Sequence, residues 1–423
     1  MSNDAEQRMA ASTDAAARKP AAVAVSAPRP RPGIANVAAQ VANANRSTAT
    51  KPQKIEDAFD HEVAFRFAFL GAGQGGGRIA NAFYELGYRR VGVFNTTDSD
   101  FNGLNEDIVK LNLKTGGSAK DTELARRSLS GREEEVRDLL TKAWGQDVDV
   151  AMISASLGGG TGSGTAPELV KIARQYLKDQ GKPARVGAIV SLPNRAEGFQ
   201  VCRNAVNGFK ALQEMGVSPL IVIDNARVEQ VYQPSFTKVF ATANQTASTY
   251  LHLFNQLAAV HSEFITFDKS EFAQLLDSGL VVMGTSDIQQ IDSPADISSA
   301  IRDQIAGSVL AQVDLTTGNT AACLFVGSQD VLDRFTTAYF DAGFTQLNRT
   351  LATNKPEGTR TVVHRGVYLG ADPGLQAYVM VGGLALPFAL LADLAKEGGI
   401  PAGGGGNSRL ASYLGVEDAQ APK

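Results

Sequence analysis

From Phe65 onward, short apolar runs of strand length alternate with stretches of helical length. Phe65–Leu70, Arg90–Phe94, Val148–Ala155, Arg185–Ser191 and Pro219–Ile223 have the near-continuous apolar character of strands covered on both faces. Between them, Arg78–Leu86, Ala166–Lys178 and Cys202–Met215 read as helices. This alternation predicts an α/β fold, a parallel sheet with helices on both faces, whose ligands sit at the carboxyl ends of the strands. A long central helix is expected from about Ser235 to Val260, because Val239, Phe240, Ala243, Ala247, Tyr250, Leu251, Phe254 and Leu257 recur at three- and four-residue steps. Beyond it, Leu280–Met283, Ala321–Val326, Thr361–Tyr368 and Gln376–Gly382 predict the strands of a second α/β domain. The expected organisation is an arm over 1–60, a first domain over 61–234, the central helix with its following loop over 235–279, a second domain over 280–397, and a linker with tail over 398–423.

Both ends look different. Up to Ile55 the chain is rich in Ala and Pro, has no aromatic residue, and carries eight Lys or Arg against three acids. Such a segment buries too little apolar surface to offset its ordering entropy, so a disordered, mildly basic arm is expected, with at most weak contact to nucleic acid. Pro401–Asn407 is a glycine-rich linker to a short tail. In that tail Leu410, Tyr413 and Leu414 stand at i, i+3 and i+4, a spacing that suits docking onto an adaptor protein. The net charge of −4 gives no whole-protein pull toward anionic partners, and no apolar run is long enough to insert into a membrane. Two cysteines make no disulfide framework, which points to a cytoplasmic protein, and the four histidines lack any metal-ligand spacing.

Two glycine-rich turns carry the chemistry. The first strand runs into Gly71-Ala-Gly73-Gln74-Gly75-Gly76-Gly77-Arg78. Glycines at a strand-to-helix turn let backbone N–H groups approach a phosphate, and the helix N-terminus adds a favourable dipole. A dinucleotide-binding turn would look the same, but it calls for an acid at the end of the second strand, where Asn95 stands. The second turn, Gly158-Gly159-Gly160-Thr161-Gly162-Ser163-Gly164, interleaves hydroxyls with glycines and contains no lysine. It is therefore not the common lysine-bearing phosphate loop. Backbone amides, hydroxyls, a helix dipole and Mg²⁺ are expected to meet the phosphate charge instead.

The GGGTGSG run resembles the signature loop of the tubulin and FtsZ superfamily, and further segments follow in the family's order. Gly73, Gln74, Gly75, Gly76 and Arg78 resemble its first loop, and Asn95 opens a segment similar to its Asn-Thr-Asp loop. Gly116 and Gly117 stand where its γ-phosphate loop is expected, and Glu197 in a segment like the one that borders the ribose. Asn225 and Asn244 match the asparagines that read guanine, and Phe240 matches the aromatic residue that stacks on it. Without the glycine turns, the helix alone would favour reading Phe240 as core and Asn244 as surface. Asp268 and Glu271 form an Asp-x-x-Glu pair that by itself reads as a helix cap. The resemblance instead implies a catalytic pair that completes the next subunit's site. It further implies a filament-forming GTPase that binds GTP or GDP with Mg²⁺ and polymerises with its own copies. It leans toward the branches that segregate or position plasmid DNA or phage material. A cell-division ring protein and a filament protein without hydrolysis remain the alternatives.

Overall fold

The structure, a computed structural model, describes residues 55–235, 238–308, 310–371 and 374–400. The basic arm up to residue 54 and the tail bearing Leu410, Tyr413 and Leu414 lie outside the described residues. In chain order the strands are β1 (Phe67–Ala72), β2 (Val91–Asn95), β3 (Val109–Asn112), β4 (Val150–Ser156), β5 (Val186–Leu192), β6 (Leu220–Asp224), β7 (Leu280–Ile288), β8 (Thr320–Gly327), β9 (Val362–Leu369) and β10 (Leu375–Gly382). The helices are α1 (Gly73–Leu86), α2 (Thr122–Leu129), α3 (Glu133–Trp144), α4 (Gly160–Asp179), α5 (Phe199–Glu214), α6 (Asn225–Tyr232), α7 (Val239–Leu257), α8 (Lys269–Leu276), α9 (Pro294–Ser308), α10 (Gln329–Leu332), α11 (Thr337–Ala352) and α12 (Phe388–Glu397).

The strands form one sheet in the order β3-β2-β1-β4-β5-β6-β7-β10-β8-β9. From β3 to β7 every pairing is parallel. β10 then runs antiparallel to both β7 and β8. The two halves meet at a short seam, where β6 and β7 share only Leu220↔Leu280 and Ile221↔Val281. The α/β architecture predicted from the apolar pattern is therefore present, with both sets of strands joined edge to edge.

Alternation along β1 explains the layering. Phe67 and Phe69 face one side, where they pack with Phe83 of α1 and Phe254 of α7, while Ala68 and Leu70 face Leu140 and Trp144 of α3 on the other. Helix α7 thus lies on the sheet beside α1, its apolar stripe buried as its periodicity predicts. Residues 55–60, placed with the arm by composition, pack against the body. Ala58 N–H donates to the Gly87 carbonyl at 2.7 Å, and Phe59 sits edge-on to Tyr88 at 4.8 Å. The Asp57 carboxylate meets the Arg90 guanidinium at 2.8 Å with both side chains nearly buried.

Candidate functional site

The carboxyl ends of β1, β2, β4, β5 and β6 open onto a cleft of about 450 Å³. At one end of it lie the first turns of α1 and α4, which start at Gly73 and Gly160, inside the glycine turns themselves. Neither helix has a side-chain cap or an acid in its first turn, whereas α2, α6 and α8 are each capped by an aspartate. First-turn N–H groups and the positive helix ends therefore face the cleft, which suits that end to an anion. The two turns touch each other. A Cβ on Gly162 would fall 2.7 Å from the Ser156 carbonyl oxygen and 3.2 Å from that of Ala72. Gly73, at φ +71°, adopts a backbone conformation that suits glycine.

Thr161 joins the loops around this end. Its Oγ1 shares hydrogen bonds with Thr96 Oγ1 at 3.0 Å and with Ser118 Oγ at 3.1 Å. Thr96 in turn accepts N–H bonds from Thr115 and Gly117 at its carbonyl oxygen. A strap over residues 114–120 is thereby fastened across α4.

Of the residues singled out from sequence, Gly73, Gln74, Gly75, Arg78, Gly117, Gly159, Gly160, Thr161, Gly162, Glu197, Asn225, Phe240 and Asn244 line the cleft. Five others do not. Gly76 packs against the β4 backbone, and Gly158 against Val201 and Pro193. Gly116 lies in the strap, with open space where a side chain would project. Ser163 Oγ donates to the Asn204 carbonyl at 2.8 Å, turned toward α5. Asn95 is buried and shapes its loop, donating to Asp100 at 3.1 Å and accepting from Thr96 N–H at 2.8 Å. Thr96 and Ser118, which stand in the segments of Asn95 and of the Gly116–Gly117 pair, also line the cleft, as do Lys120 and Asp100, which sequence reasoning missed. Lys120 follows Ser118 by two residues, and that nearness to the glycine pair of the strap was its one signal in the sequence.

The opposite end of the cleft is built by α6 and α7. Phe240 is half exposed there, one helical turn before the buried Asn244. Asn225 opens α6 from a buried position, while the Asp224 carboxylate before it caps that helix. Glu197 forms a capping box with Asn194, and burial pushes its carboxyl above the ordinary range despite that bond. The cations Arg78 and Lys120 and the acids Glu197 and Asp100 share the lining.

Asp268 and Glu271 lie elsewhere. Asn255, near the far end of α7, bonds both the N–H and the carbonyl of Phe65 at the amino edge of β1. Lys269, the first residue of α8, holds its ammonium 4.6 Å above the Phe65 ring. The pair therefore sits at the edge of the sheet opposite the cleft. From Phe240 to Leu257 alone, α7 spans about 25 Å at its usual rise per residue. There the helix-cap geometry is complete. Asp268 Oδ1 accepts from Ser270 N–H at 2.7 Å and Glu271 N–H at 2.9 Å, and Glu271 Oε2 accepts from Asp268 N–H at 3.0 Å. His364 Nδ1 of β9 lies 3.1 Å from the other Glu271 oxygen.

Residues 66–233, from the start of β1 through the end of α6, match the model of the Tubulin/FtsZ family, GTPase domain. These residues are a tubulin/FtsZ-family GTPase domain. The match contains both glycine turns and Asn225, and stops before Phe240, Asn244 and the acidic pair. Over 242 residues this tubulin-like chain is 25% identical to the tubulin-like protein TubZ of Bacillus cereus, covering 51% of this chain and 53% of that protein. The chain thus spans about half the length of the TubZ relatives it matches. Its fold superimposes on a GTPγS-form protofilament of TubZ from Bacillus thuringiensis serovar israelensis, with TM-score 0.66, 18% identity, and 80% of this chain and 92% of that chain covered. A type III plasmid segregation TubZ aligns with TM-score 0.64 and 18% identity over 84% of this chain and 95% of that chain. The tubulin-like fold therefore extends well past the matched domain.

Proposed function

We propose that the protein binds and hydrolyses GTP and assembles head to tail into filaments, each subunit completing its neighbour's active site. One observation carries this reading: the cleft and the acidic pair occupy opposite edges of one sheet. A subunit cannot bring its own Asp268 and Glu271 to its own cleft. Stacking copies in one direction sets the acidic edge of each against the cleft of the next, where the carboxylates polarise water for attack on the terminal phosphate. The cap bonds and His364 hold the two acids in place for that contact. The glycine turns, with the amino ends of α1 and α4, bind the phosphates. Asn225 and Asn244 offer donor and acceptor to the guanine edge, and Phe240 offers a ring to stack on it.

Mg²⁺ fits as a companion of the phosphates rather than in a protein cage. Among the described residues no group of three His, Cys, Asp or Glu could hold a metal, and Mg²⁺ favours phosphate and water ligands with few carboxylates. Bound there, it would neutralise phosphate charge. The likeness to a plasmid-segregation TubZ supports a role in positioning or segregating DNA in the cytoplasm, with the basic arm and the tail as contacts for DNA and an adaptor. A second reading, binding without hydrolysis, draws on the capping box that both acids form.

Electron microscopy of the purified protein with GTP, GDP and a slowly hydrolysed analogue tests the proposal, together with competition by ATP. Filaments with GTP and the analogue, and displacement of bound GTP by GDP but not ATP, are expected. Equal displacement by ATP would remove the guanine assignment, and failure to assemble with the analogue would remove the filament.

A further inference from the structure

Lys120 is the residue of the cleft that the glycine-loop pattern leaves unexplained. The second glycine turn supplies no lysine, and Lys120 enters from the strap instead. Its backbone conformation is unusual. Ala119 and Lys120 both have positive φ, +47° and +65°, a region that side-chain-bearing residues rarely adopt. Two such residues in succession persist only when their surroundings fix them.

Here the surroundings do. The buried Asn204 of α5 donates through Nδ2 to the Lys120 carbonyl at 2.8 Å and to the Gly158 carbonyl at 3.3 Å, fastening the strap to the second glycine turn. Gln200 orients that amide by donating to its Oδ1 at 2.8 Å. Against Gly160, the first residue of α4, the strap packs so closely that a Cβ there would lie 2.9 Å from the Lys120 carbonyl carbon. Lys120 is thus anchored by its backbone at the uncapped start of α4, where it lines the cleft. The neighbouring Asp121 caps α2, its Oδ1 accepting from the N–H groups of Glu123 and Leu124. Glu197, across the cleft, feels the Lys120 charge.

We propose that Lys120 is a phosphate-binding residue of this site, a cation delivered by the strained strap that supplies the charge the glycine turn lacks. This rests on the nucleotide reading above. The backbone strain is held in place because it aims the ammonium at the anion end of the cleft. Removing the charge should weaken binding in proportion to the phosphates present, and relaxing the backbone should not restore it.

Affinities of the full-length protein for GTP, GDP and GMP, measured by calorimetry with Lys120→Ala, Lys120→Arg and Lys120→Gly, test this. Lys120→Ala should weaken GTP binding by about tenfold, the size of one charge-assisted contact, with a smaller loss for GDP and the least for GMP. Lys120→Arg should stay close to wild type. Lys120→Gly should melt above Lys120→Ala, because glycine accepts the left-handed backbone, yet bind GTP as weakly. GTP affinity of Lys120→Ala equal to wild type, or an equal loss for all three nucleotides, would overturn the inference. A Lys120→Gly variant that regains GTP affinity would do the same. Those outcomes leave wild-type binding intact, whereas a wild type that binds none of the three nucleotides overturns the nucleotide reading and this inference together.

Discussion

Replacing Asp268 by asparagine separates its helix cap from the catalytic role proposed for it, because the cap needs an acceptor oxygen whereas catalysis needs a carboxylate. Asp268 Oδ1 takes two backbone N–H bonds, from Ser270 and Glu271, and a third from Ser270 Oγ at 2.7 Å. Asparagine keeps a carbonyl oxygen and caps about as well as aspartate, so Asp268→Asn should melt close to wild type. Asp268→Ala removes the acceptor and should cost about 0.5–2 kcal/mol, or about 1–4 °C in a fold of this size. GTP affinity should survive in both, since the residue lies at the edge opposite the cleft. Hydrolysis should fall in both by about 10²–10⁴, the usual contribution of a positioned acid or base. The Ser270 hydroxyl and the Glu271 backbone N–H hold this carboxyl below the ordinary range. Its stabilising effect is therefore fully present above the ordinary carboxylate value, and is lost as pH falls through the lowered folded value. Any stability advantage of wild type over Asp268→Asn should vanish on that acid side. Melting curves, calorimetric GTP affinity and phosphate release on the same preparations give the answer. An Asp268→Asn protein that hydrolyses GTP at the wild-type rate would reduce Asp268 to a helix cap.

Gly162→Val should abolish nucleotide binding by forcing the two glycine turns apart, because even a Cβ would fall 2.7 Å from the Ser156 carbonyl oxygen; retained GTP affinity in the folded variant would place the phosphates elsewhere. Thr161→Val keeps the shape but leaves Thr96 and Ser118 without their shared hydroxyl partner. A loss of about 1–3 kcal/mol of stability and weaker GTP binding are expected from denaturant melts and titration. Asp57→Ala strands the nearly buried Arg90 guanidinium and should cost about 3–5 kcal/mol in chemical denaturation, with GTP affinity in the folded fraction unchanged.

β1, β2, β4, β5 and β6 were readable because each is an apolar run covered on both faces, as Phe67–Ala72 and Val186–Leu192 are. The helix starts were not. Residues 73–77 and 160–164 are largely glycine, a poor helix former that local propensity assigns to a loop, yet tertiary packing makes them the first turns of α1 and α4. β3 was missed because its four residues are only half buried and mix Lys and Asn with Val and Leu. In the cleft, glycine and asparagine signals found the turns and the α6–α7 end. Lys120 escaped because its place depends on the buried Asn204, a contact distant in sequence. Residues 55–60 looked like arm by composition, and only the fold brings Asp57 to Arg90.

The central claim is that the hydrolysing site exists only between subunits, and phosphate release per subunit across a dilution series of the wild-type protein tests it most directly. With GTP saturating throughout, specific activity should be near zero in dilute protein and climb steeply once subunits meet. A rate per subunit that stays constant down to concentrations at which the protein sediments as a monomer would contradict the shared site, because a lone subunit would then be hydrolysing GTP without its neighbour's Asp268 and Glu271.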